Sequence, residues 1–346
     1  MLTLFRNLRT PVEGRPHRSF ALTSLLVSFA LGAAATLAPS AGEATASEKL
    51  ADARCNLPQG VLSPSDLPSG SSVVECQAVG RMVRSEGVEL TIPEPGMGVS
   101  FEGVSALGTD PQHFQLEVST DGVIRYPEPR APEGGVESNN PAPAADPDAC
   151  DDGANAWLDW SAYPTYKWYI GDGGMPGALS RSAAQKAFAD AINNITASYN
   201  DCGLSDEVSV GHDYAGTTTY ESDMTATGCA ERDKVGTWDA GDLAVGTLAA
   251  TCAWYFTGGG SFGQLEEADV RYNTKDYDFT NDPVAGPCTN KYDIRSVGTH
   301  EAGHVYGMAH VGNGHSNLTM YTNSFLCNTK ARTLGKGDVL GLRKHY

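Results

Sequence analysis

The sequence predicts an α+β protein in which a small β-rich region precedes a larger region of mixed helix and sheet. The first observation is the stretch 126–149, which is rich in Pro, Gly, Asn and acidic residues and poor in large apolar side chains. Such a stretch cannot bury enough apolar surface to offset the ordering of its backbone, so we interpret it as a linker. The second observation is that apolar residues alternate before this linker, whereas after it they also recur at intervals of three and four.

Residues 47–125 are predicted to be mostly strand. Apolar and polar residues alternate over 88–92, and the runs 114–118 and 123–126 flank the turn sequence Ser-Thr-Asp-Gly at 119–122. That arrangement predicts a β-hairpin. We interpret the region as a propeptide that is removed by cleavage of the exposed linker, or as a small accessory domain.

Residues 150–346 are predicted to form the mixed region. Over 184–199 apolar residues recur three and four positions apart, which predicts a helix capped by Ser180 or Ser182 with one face toward the core. Further helices are expected over about 293–306 and 338–346, and strands over 166–170, 243–256 and 268–272. We therefore expect one mixed domain over this range.

The charge balance excludes one class of partner. The chain carries 24 Lys and Arg residues against 42 Asp and Glu residues, for a net charge of −18. Because nucleic acid selects for clustered positive charge, no nucleic-acid partner is expected. The acidity favours solubility and says little about the fold, and the oligomeric state stays open at this point.

The first 46 residues have the features of a secretory signal. Four arginines precede an apolar stretch over 20–37, and Ala44-Thr45-Ala46 fits a cleavage site of small residues. The alternative is a membrane anchor, because the stretch is about long enough to span a bilayer, but serine, threonine and glycine residues dilute it. We therefore expect residues 1–46 to be removed and the mature chain to be secreted, extracellular and not inserted in a membrane.

All eight cysteines lie beyond that cleavage site. An even number in an exported chain predicts four disulfides, and the absence of a C-x-x-C pair from the sequence argues against a cysteine zinc cluster. Sequence alone does not fix the connectivity, and we predict that neighbours along the chain pair. The predicted pairs are Cys55–Cys76, Cys150–Cys202, Cys229–Cys252 and Cys288–Cys327.

The residues with the clearest chemistry form the run HEAGHVYGMAH at 300–310. On a helix, His300 and His304 lie one turn apart on one face and can direct two imidazoles at one metal ion. Gly307 lacks a Cβ, so it can adopt a positive φ, end the helix and let His310 reach the same ion. Three protein ligands with a fourth position open are typical of catalytic zinc, so we predict zinc bound by these three histidines.

Glu301 is predicted to be the catalytic base. It follows the first ligand directly and is rotated by about 100° from the ligand face, which keeps it near the metal but out of its coordination shell. Zinc lowers the pKa of bound water to about 7, and Glu301 can take a proton from the water that attacks a peptide carbonyl and then pass it to the leaving amine. Two alternatives, ordinary surface histidines and a structural zinc closed by His315, give Glu301 no role.

The pattern H-E-x-x-H-x-x-G-x-x-H resembles the zinc motif of the metzincin metallopeptidases. Met320, ten residues after His310, matches the methionine turn of that family, and Tyr321 directly after it is similar to the matrixin-like branch. The resemblance implies a zincin fold with a twisted, mostly parallel sheet, an active-site helix and a methionine turn. It also implies that Met320 forms an apolar floor under the histidines and is not itself a ligand, and we assign Tyr321 no ligand role.

The resemblance also bears on the acidic and cysteine motifs. Matrixin-like domains often bind calcium, and the acidic runs 146–148, 150–152 and 276–278 are candidate ligands for structural Ca²⁺, with solvated loops as the alternative.

The sequence around Cys55 resembles the matrixin cysteine switch, in which a thiolate binds the zinc. Because Cys55 lies far before the catalytic domain and near Cys76, a disulfide is the favoured interpretation.

The sequence therefore predicts a secreted zinc-dependent endopeptidase, made as a precursor and acting on a protein or peptide substrate. The competing class is an extracellular binding or adhesion protein that retains a zincin fold. A second enzyme alternative is a zinc hydrolase that acts on cell-wall peptides, because the metal motif fixes the chemistry of attack and not the substrate.

Overall fold

A computed structural model describes residues 55–131, 146–258 and 260–346 of the chain. The predicted secretory signal at 1–46 and positions 132–145 of the predicted linker lie outside the described residues. Within the described residues the protein is mixed α+β with more strand than helix, which confirms the predicted class.

The described elements are strands of 2 to 11 residues, three α-helices and two 3-10 turns. The α-helices are α1 Arg181–Thr196, α2 Ile294–Val305 and α3 Lys336–His345, and 3-10 turns lie at Pro176–Ala178 and Lys330–Arg332. The strands are β1 Met82–Ser85, β2 Val88–Thr91, β3 Met97–Ala106, β4 Gln112–Val118, β5 Ile124–Arg125, β6 Trp160–Ser161, β7 Thr165–Ile170, β8 Gly211–Thr217, β9 Met224–Thr225, β10 Gly228–Cys229, β11 Thr237–Gly241, β12 Thr247–Phe256, β13 Gly263–Asn273, β14 Asp278–Thr280, β15 Lys291–Asp293 and β16 Asn323–Ser324. Among the described helices, none has the length and apolar character needed to cross a membrane.

The helices lie where the sequence predicts them, and two of them begin at a capping side chain, one of which is the predicted Ser180. Ser180 accepts a hydrogen bond of 3.3 Å from the N–H of Ala183 at the start of α1, and Asp293 accepts one of 2.8 Å from Ser296 at the start of α2. These side chains satisfy N–H groups that have no partner within the helix. The predicted apolar face of α1, which includes Phe188, is buried, so packing stabilises this helix.

The main sheet has ten strands among the described residues. Its continuous order is β5-β4-β3-β12-β13-β11-β7-β8, with β16 beside β3 and β6 beside β13. The pairs β13–β11, β11–β7 and β7–β8 are parallel, whereas β12 is antiparallel to both β13 and β3. Smaller sheets have the orders β1-β2-β10-β9 and β14-β15. Helix α2 packs against α1 and against β12 and β3, which places it over the centre of the main sheet.

The predicted N-terminal region and the predicted mixed region share this sheet. Strand β3, which belongs to 47–125, pairs along the length of β12. Side chains on one face of these two strands, including Phe101 and Cys252, join a core formed largely by the N-terminal region. On the other face Val104 joins the core around α1 and α2. The segment 47–125 therefore covers an edge of β12 that would otherwise be open.

The four predicted disulfides are confirmed. Cys55 bonds to Cys76, Cys150 to Cys202, Cys229 to Cys252 and Cys288 to Cys327. One pair lies within the N-terminal region, and the other three lie after position 149. Four disulfides are typical of a protein from an oxidising compartment.

A buried ion pair joins two neighbouring parallel strands of the sheet. The guanidinium of Arg271 on β13 donates to both carboxylate oxygens of Asp239 on β11, at 2.9 and 2.7 Å. Asp239 is fully buried and also accepts hydrogen bonds from the N–H and the hydroxyl of Ser222. A carboxylate removed from water in this way is stabilised only while its counter-charge remains.

We expect Arg271→Ala to lower the free energy of unfolding by about 3 kcal/mol or more, because it leaves the Asp239 carboxylate buried without its partner. The matched control is Arg84→Ala, which removes an ion pair with Glu89 in which the Arg84 side chain is 57% exposed. Surface pairs contribute about 0–1 kcal/mol, so urea unfolding should separate the two variants. Equal losses of stability in both would contradict the role assigned to the buried pair.

Candidate metal centre

Helix α2 carries the first part of the HEAGHVYGMAH run and ends inside it. Its last turn closes through hydrogen bonds of 2.9 Å from the N–H of Gly307 to the carbonyl of His304 and from the N–H of Met308 to the carbonyl of Gly303. Gly307 has a φ of +81°, and this left-handed residue with these two hydrogen bonds is a Schellman ending. The chain therefore turns back sharply, which brings His310 beside the helix.

The three histidines that the sequence predicts as ligands converge. The Nε2 atoms of His300, His304 and His310 lie 3.0, 3.0 and 3.1 Å from one another. His300 is 2% exposed, His304 is 0% exposed, and the side chain of His310 is 11% exposed. These three side chains form a group with the arrangement needed to hold a metal ion.

Hydrogen bonds at Nδ1 determine which ring nitrogen carries the proton, and therefore whether the converging Nε2 atom presents a lone pair. Nδ1 of His300 is 2.8 Å from the carbonyl oxygen of Thr319, and Nδ1 of His304 is 2.9 Å from that of Met308. A carbonyl oxygen only accepts, so in these two neutral rings Nδ1 carries the proton and Nε2 presents a lone pair. Lone pairs at this separation repel unless a cation lies between them. The donor set therefore fits a metal ion, since a tetrahedral ion bound at about 2.0–2.1 Å holds its ligands about 3.3 Å apart.

Burial keeps the three imidazoles neutral near pH 7. It lowers the pKa of His300 to about 4. It also lowers the pKa of His304 and of His310 well below the ordinary value, and the neighbouring histidines lower both further. Because neutral imidazole is the form that binds metal, no proton has to leave these rings before an ion binds.

Glu301 lies beside the histidines without joining their group of converging atoms in the described residues. It is fully buried, and its Oε2 accepts a hydrogen bond of 2.7 Å from the hydroxyl of Thr251 on β12. Its Oε1 accepts a longer bond of 3.4 Å from the N–H of Val104 on β3. Burial raises the pKa of Glu301 to about 8, although these hydrogen bonds act to lower it. A carboxyl group so placed can take up and return a proton near neutral pH.

Met320 lies against the helix between the first two histidines. A Cβ built on Gly303 would stand 2.3 Å from the sulfur of Met320, so glycine at this position leaves the room that the methionine occupies. The turn that carries Met320 is held by the carboxylate of Asp338, which accepts from the N–H groups of Thr319 and Met320 at 2.8 and 3.2 Å. Asp338 lies in the first turn of α3, so this helix fixes the loop whose carbonyl supports His300.

Two other sequence candidates lie away from this centre. Nδ1 of His315 is 2.9 Å from the carboxylate of Asp152, and His315 is not a member of the converging group. Cys55 is bonded to Cys76, which agrees with the disulfide interpretation and not with a switch at the metal.

The acidic runs suggested for calcium do not form a converging group among the described residues. A different set of acidic side chains does converge, namely Asp223, Glu267 and Asp269. Burial raises the pKa of Asp223 to about 6 and that of Glu267 to about 7. Calcium binding stays a prediction.

Two residues contact the candidate metal centre in ways that could not be predicted from the sequence. Thr251 lies 50 positions before Glu301, and Asp338 lies 18 positions after Met320. They reach the centre because β12 lies under α2 and because α3 packs beside the methionine turn. Neither relation follows from spacing within a motif.

Glu102 on β3 is a third such residue. It is 1% exposed, and its Oε1 lies 2.5 Å from Nδ1 of His113. Burial acts to lower the pKa of His113, yet the nearby carboxylates, Glu102 first among them, raise it overall. Oε2 of Glu102 has no hydrogen-bond partner in the described part of the chain and lies 4.0 Å from Nδ1 of His310. The N-terminal region thus places a carboxylate next to the third histidine.

We expect Gly307→Ala to weaken zinc binding at least about tenfold. The left-handed conformation would cost alanine about 1–2 kcal/mol, and the added Cβ would stand 2.3 Å from the carbonyl oxygen of Trp160. The turn must therefore shift, and His310 with it. The control is Gly312→Ala, where a Cβ would meet no described atom within 4 Å. Zinc content after dialysis against graded chelator should fall in the first variant alone, and equal zinc retention by both would contradict the role of the turn.

Comparison with known proteins places the chain in no group. No protein-family model matches the sequence, and no curated protein matches it. The functional conclusion therefore depends on the geometry of the centre and on the motif that forms it.

Proposed function

We propose that the chain is a secreted zinc-dependent endopeptidase in which His300, His304 and His310 bind the metal and Glu301 acts as the base. The observation that carries the proposal is the convergence of three buried imidazoles beside a buried carboxyl group. A structural zinc site is normally closed by a fourth protein ligand. The described residues offer no fourth histidine, cysteine or carboxylate to this group, and an open position next to a base is what hydrolysis requires.

We infer that the ion is zinc. Imidazole nitrogens suit zinc, whereas calcium and magnesium prefer oxygen ligands. When bound, zinc would supply the Lewis acidity that polarises a peptide carbonyl and makes water a stronger acid. The chain supplies neutral imidazoles oriented by the Thr319 and Met308 carbonyls, together with the apolar floor of Met320.

Glu301 would take a proton from the attacking water and return it to the amine that leaves. The Thr251 hydroxyl holds Oε2 at 2.7 Å, and Oε1 faces the backbone N–H of Val104. The same carboxylate therefore lies next to a peptide nitrogen, where the proton is needed when a peptide bond breaks. Burial raises the pKa of Glu301 to about 8, which makes its carboxylate a stronger base than an exposed glutamate.

The topology supports a zincin fold of the matrixin-like metzincin type. A parallel group of strands, β13, β11, β7 and β8, is followed at its edge by the antiparallel β12, and α2 packs over β12. Met320 lies against α2 in a turn beyond the third histidine. These features agree with what the motif's resemblance implies for 150–346, and we propose that 47–125 acts as a propeptide.

We expect Glu301→Ala to abolish casein hydrolysis and to retain zinc, because Glu301 is a base and not a ligand. Loss of a general base lowers rates by about 10²–10⁴-fold. Secreted wild-type and variant chains are assayed before and after proteolytic cutting of the linker 126–149, and zinc is measured in each. Glu75→Ala, at an exposed position, is the matched control and should behave as the wild type.

The other outcomes of this experiment identify other classes of protein. Zinc in both chains without hydrolysis in either would favour the extracellular binding or adhesion protein. Hydrolysis of cell-wall peptides in place of casein would favour the alternative of a zinc hydrolase that acts on cell-wall peptides. No zinc in either chain would overturn the proposal.

A further inference from the structure

Strand β3 lies along the candidate metal centre as a bound peptide would. It pairs antiparallel with β12 on one side and with β4 on the other over 98–103, and its last residues, Ser105 and Ala106, pair in parallel with β16. Near the candidate metal centre the end of the strand is therefore held through its main chain on both sides, between β12, which carries Thr251, and the segment that follows the methionine turn. Main-chain pairing of this kind is how extended peptides bind at the edge of a sheet.

The backbone of β3 meets the base at one peptide bond. The N–H of Val104 lies 3.4 Å from Oε1 of Glu301. The carbonyl carbon of Gly103 is bonded to that nitrogen at about 1.3 Å, so the Gly103–Val104 bond is the one beside the base. Glycine brings no side chain that would shield its carbonyl from attack.

Side chains on one face of β3 are directed at the centre. Val104 is 1% exposed and lines a pocket whose other walls include Val297 and His300 of α2 and parts of the methionine turn. Glu102 lies on the same face, because side chains alternate along a strand, and it reaches to 4.0 Å from Nδ1 of His310. The residue after the Gly103–Val104 bond thus belongs to the core that contains Val297 and lines a partly polar pocket beside a predicted metal ligand.

We propose that β3 is an internal peptide seated in the substrate groove, that Gly103–Val104 is the bond it presents for hydrolysis, and that the site prefers a small aliphatic residue after the bond it cuts. This inference rests on the proposed function, since it needs the metal and Glu301. One water is consumed: its oxygen bonds to the carbonyl carbon of Gly103, and the bond to the Val104 nitrogen breaks. One water proton passes through Glu301 to that nitrogen, and the other is released from the new carboxylic acid. The products are a Gly103 carboxylate and a Val104 amine.

The seated strand keeps the intact chain latent toward other peptides, and the cut provides a route to activation. The piece that ends at Gly103 contains the Cys55–Cys76 disulfide, and the other six cysteines pair with one another after position 149. No disulfide therefore links this piece to the remainder of the chain. After the cut it is held by strand pairing and packing alone.

The test uses the full secreted chain, as wild type and as Glu301→Ala, incubated with zinc, and identifies new N-termini by mass spectrometry. We expect a chain beginning at Val104 from the wild type alone, formed at a rate that does not depend on protein concentration because each molecule cuts itself. Val104→Ala removes two methyl groups from the pocket and should slow this cut about tenfold or more. Val99→Ala is the matched control, because Val99 is equally buried on the same strand but faces the other core.

A second measurement needs neither metal nor turnover. Hydrogen exchange in the Glu301→Ala chain, kept in chelator, should be slow over 97–106. In that background Val104→Thr, which keeps the shape of valine but adds a hydroxyl, should speed exchange over 97–106 and over 318–324. Val99→Thr should leave exchange over 318–324 unchanged.

The outcomes separate this inference from the proposed function. Casein hydrolysis by a chain that stays intact at Gly103–Val104, or whose Gly103–Val104 bond is cut only by another molecule, would overturn the inference about β3. The proposed peptidase function would still stand. Fast exchange over 97–106 would overturn the seating of β3 in the groove. Absence of zinc together with absence of hydrolysis of any peptide would overturn both.

Discussion

The centre depends on one constraint, which is that three buried imidazoles direct their Nε2 atoms at a common point. The atoms lie 3.0 to 3.1 Å apart, and two of the rings are fixed as lone-pair donors by carbonyl groups at Nδ1. No hydrogen bond can form between Nε2 of His300 and Nε2 of His304, because both atoms present lone pairs, and burial disfavours protonation of either ring. A bound cation would relieve this repulsion, and its binding would then be thermodynamically linked to folding of the segment 300–320.

The surrounding residues hold that geometry from several parts of the chain. Gly307 ends the helix so that the chain turns back toward His310, and Gly303 leaves room for Met320. Asp338 fixes the turn that orients His300 through the Thr319 carbonyl. Mutation of groups that orient metal ligands in this way typically lowers metal affinity by about 10–100-fold, so the candidate metal centre is larger than the histidine motif.

Local spacing predicts the ligands, whereas contacts across the fold cannot be predicted from it. His300 and His304 are related by helix geometry alone, and the glycine after them explains how His310 returns. Thr251 and Val104 lie 50 and 197 positions before Glu301. They reach it because β12 and β3 are neighbours in the sheet, an order that no motif specifies. For the same reason the composition of the linker predicts two regions but not the sheet that they share.

In the proposed peptidase, the edge of β12 would have to be available to a substrate and yet protected from pairing with other chains. An open edge beside apolar side chains is prone to such pairing, and β3 covers it with a segment of the same molecule. The opposite face of β3 carries Val99 and Phe101 into a core that Cys252 and Trp254 also line, so the covering strand is bound more firmly than a substrate peptide that has only main-chain pairing. Its release requires either that this packing is lost or that its backbone is cut. Because the backbone passes Glu301 at Val104, the proposed function favours cutting of the backbone as the route of release.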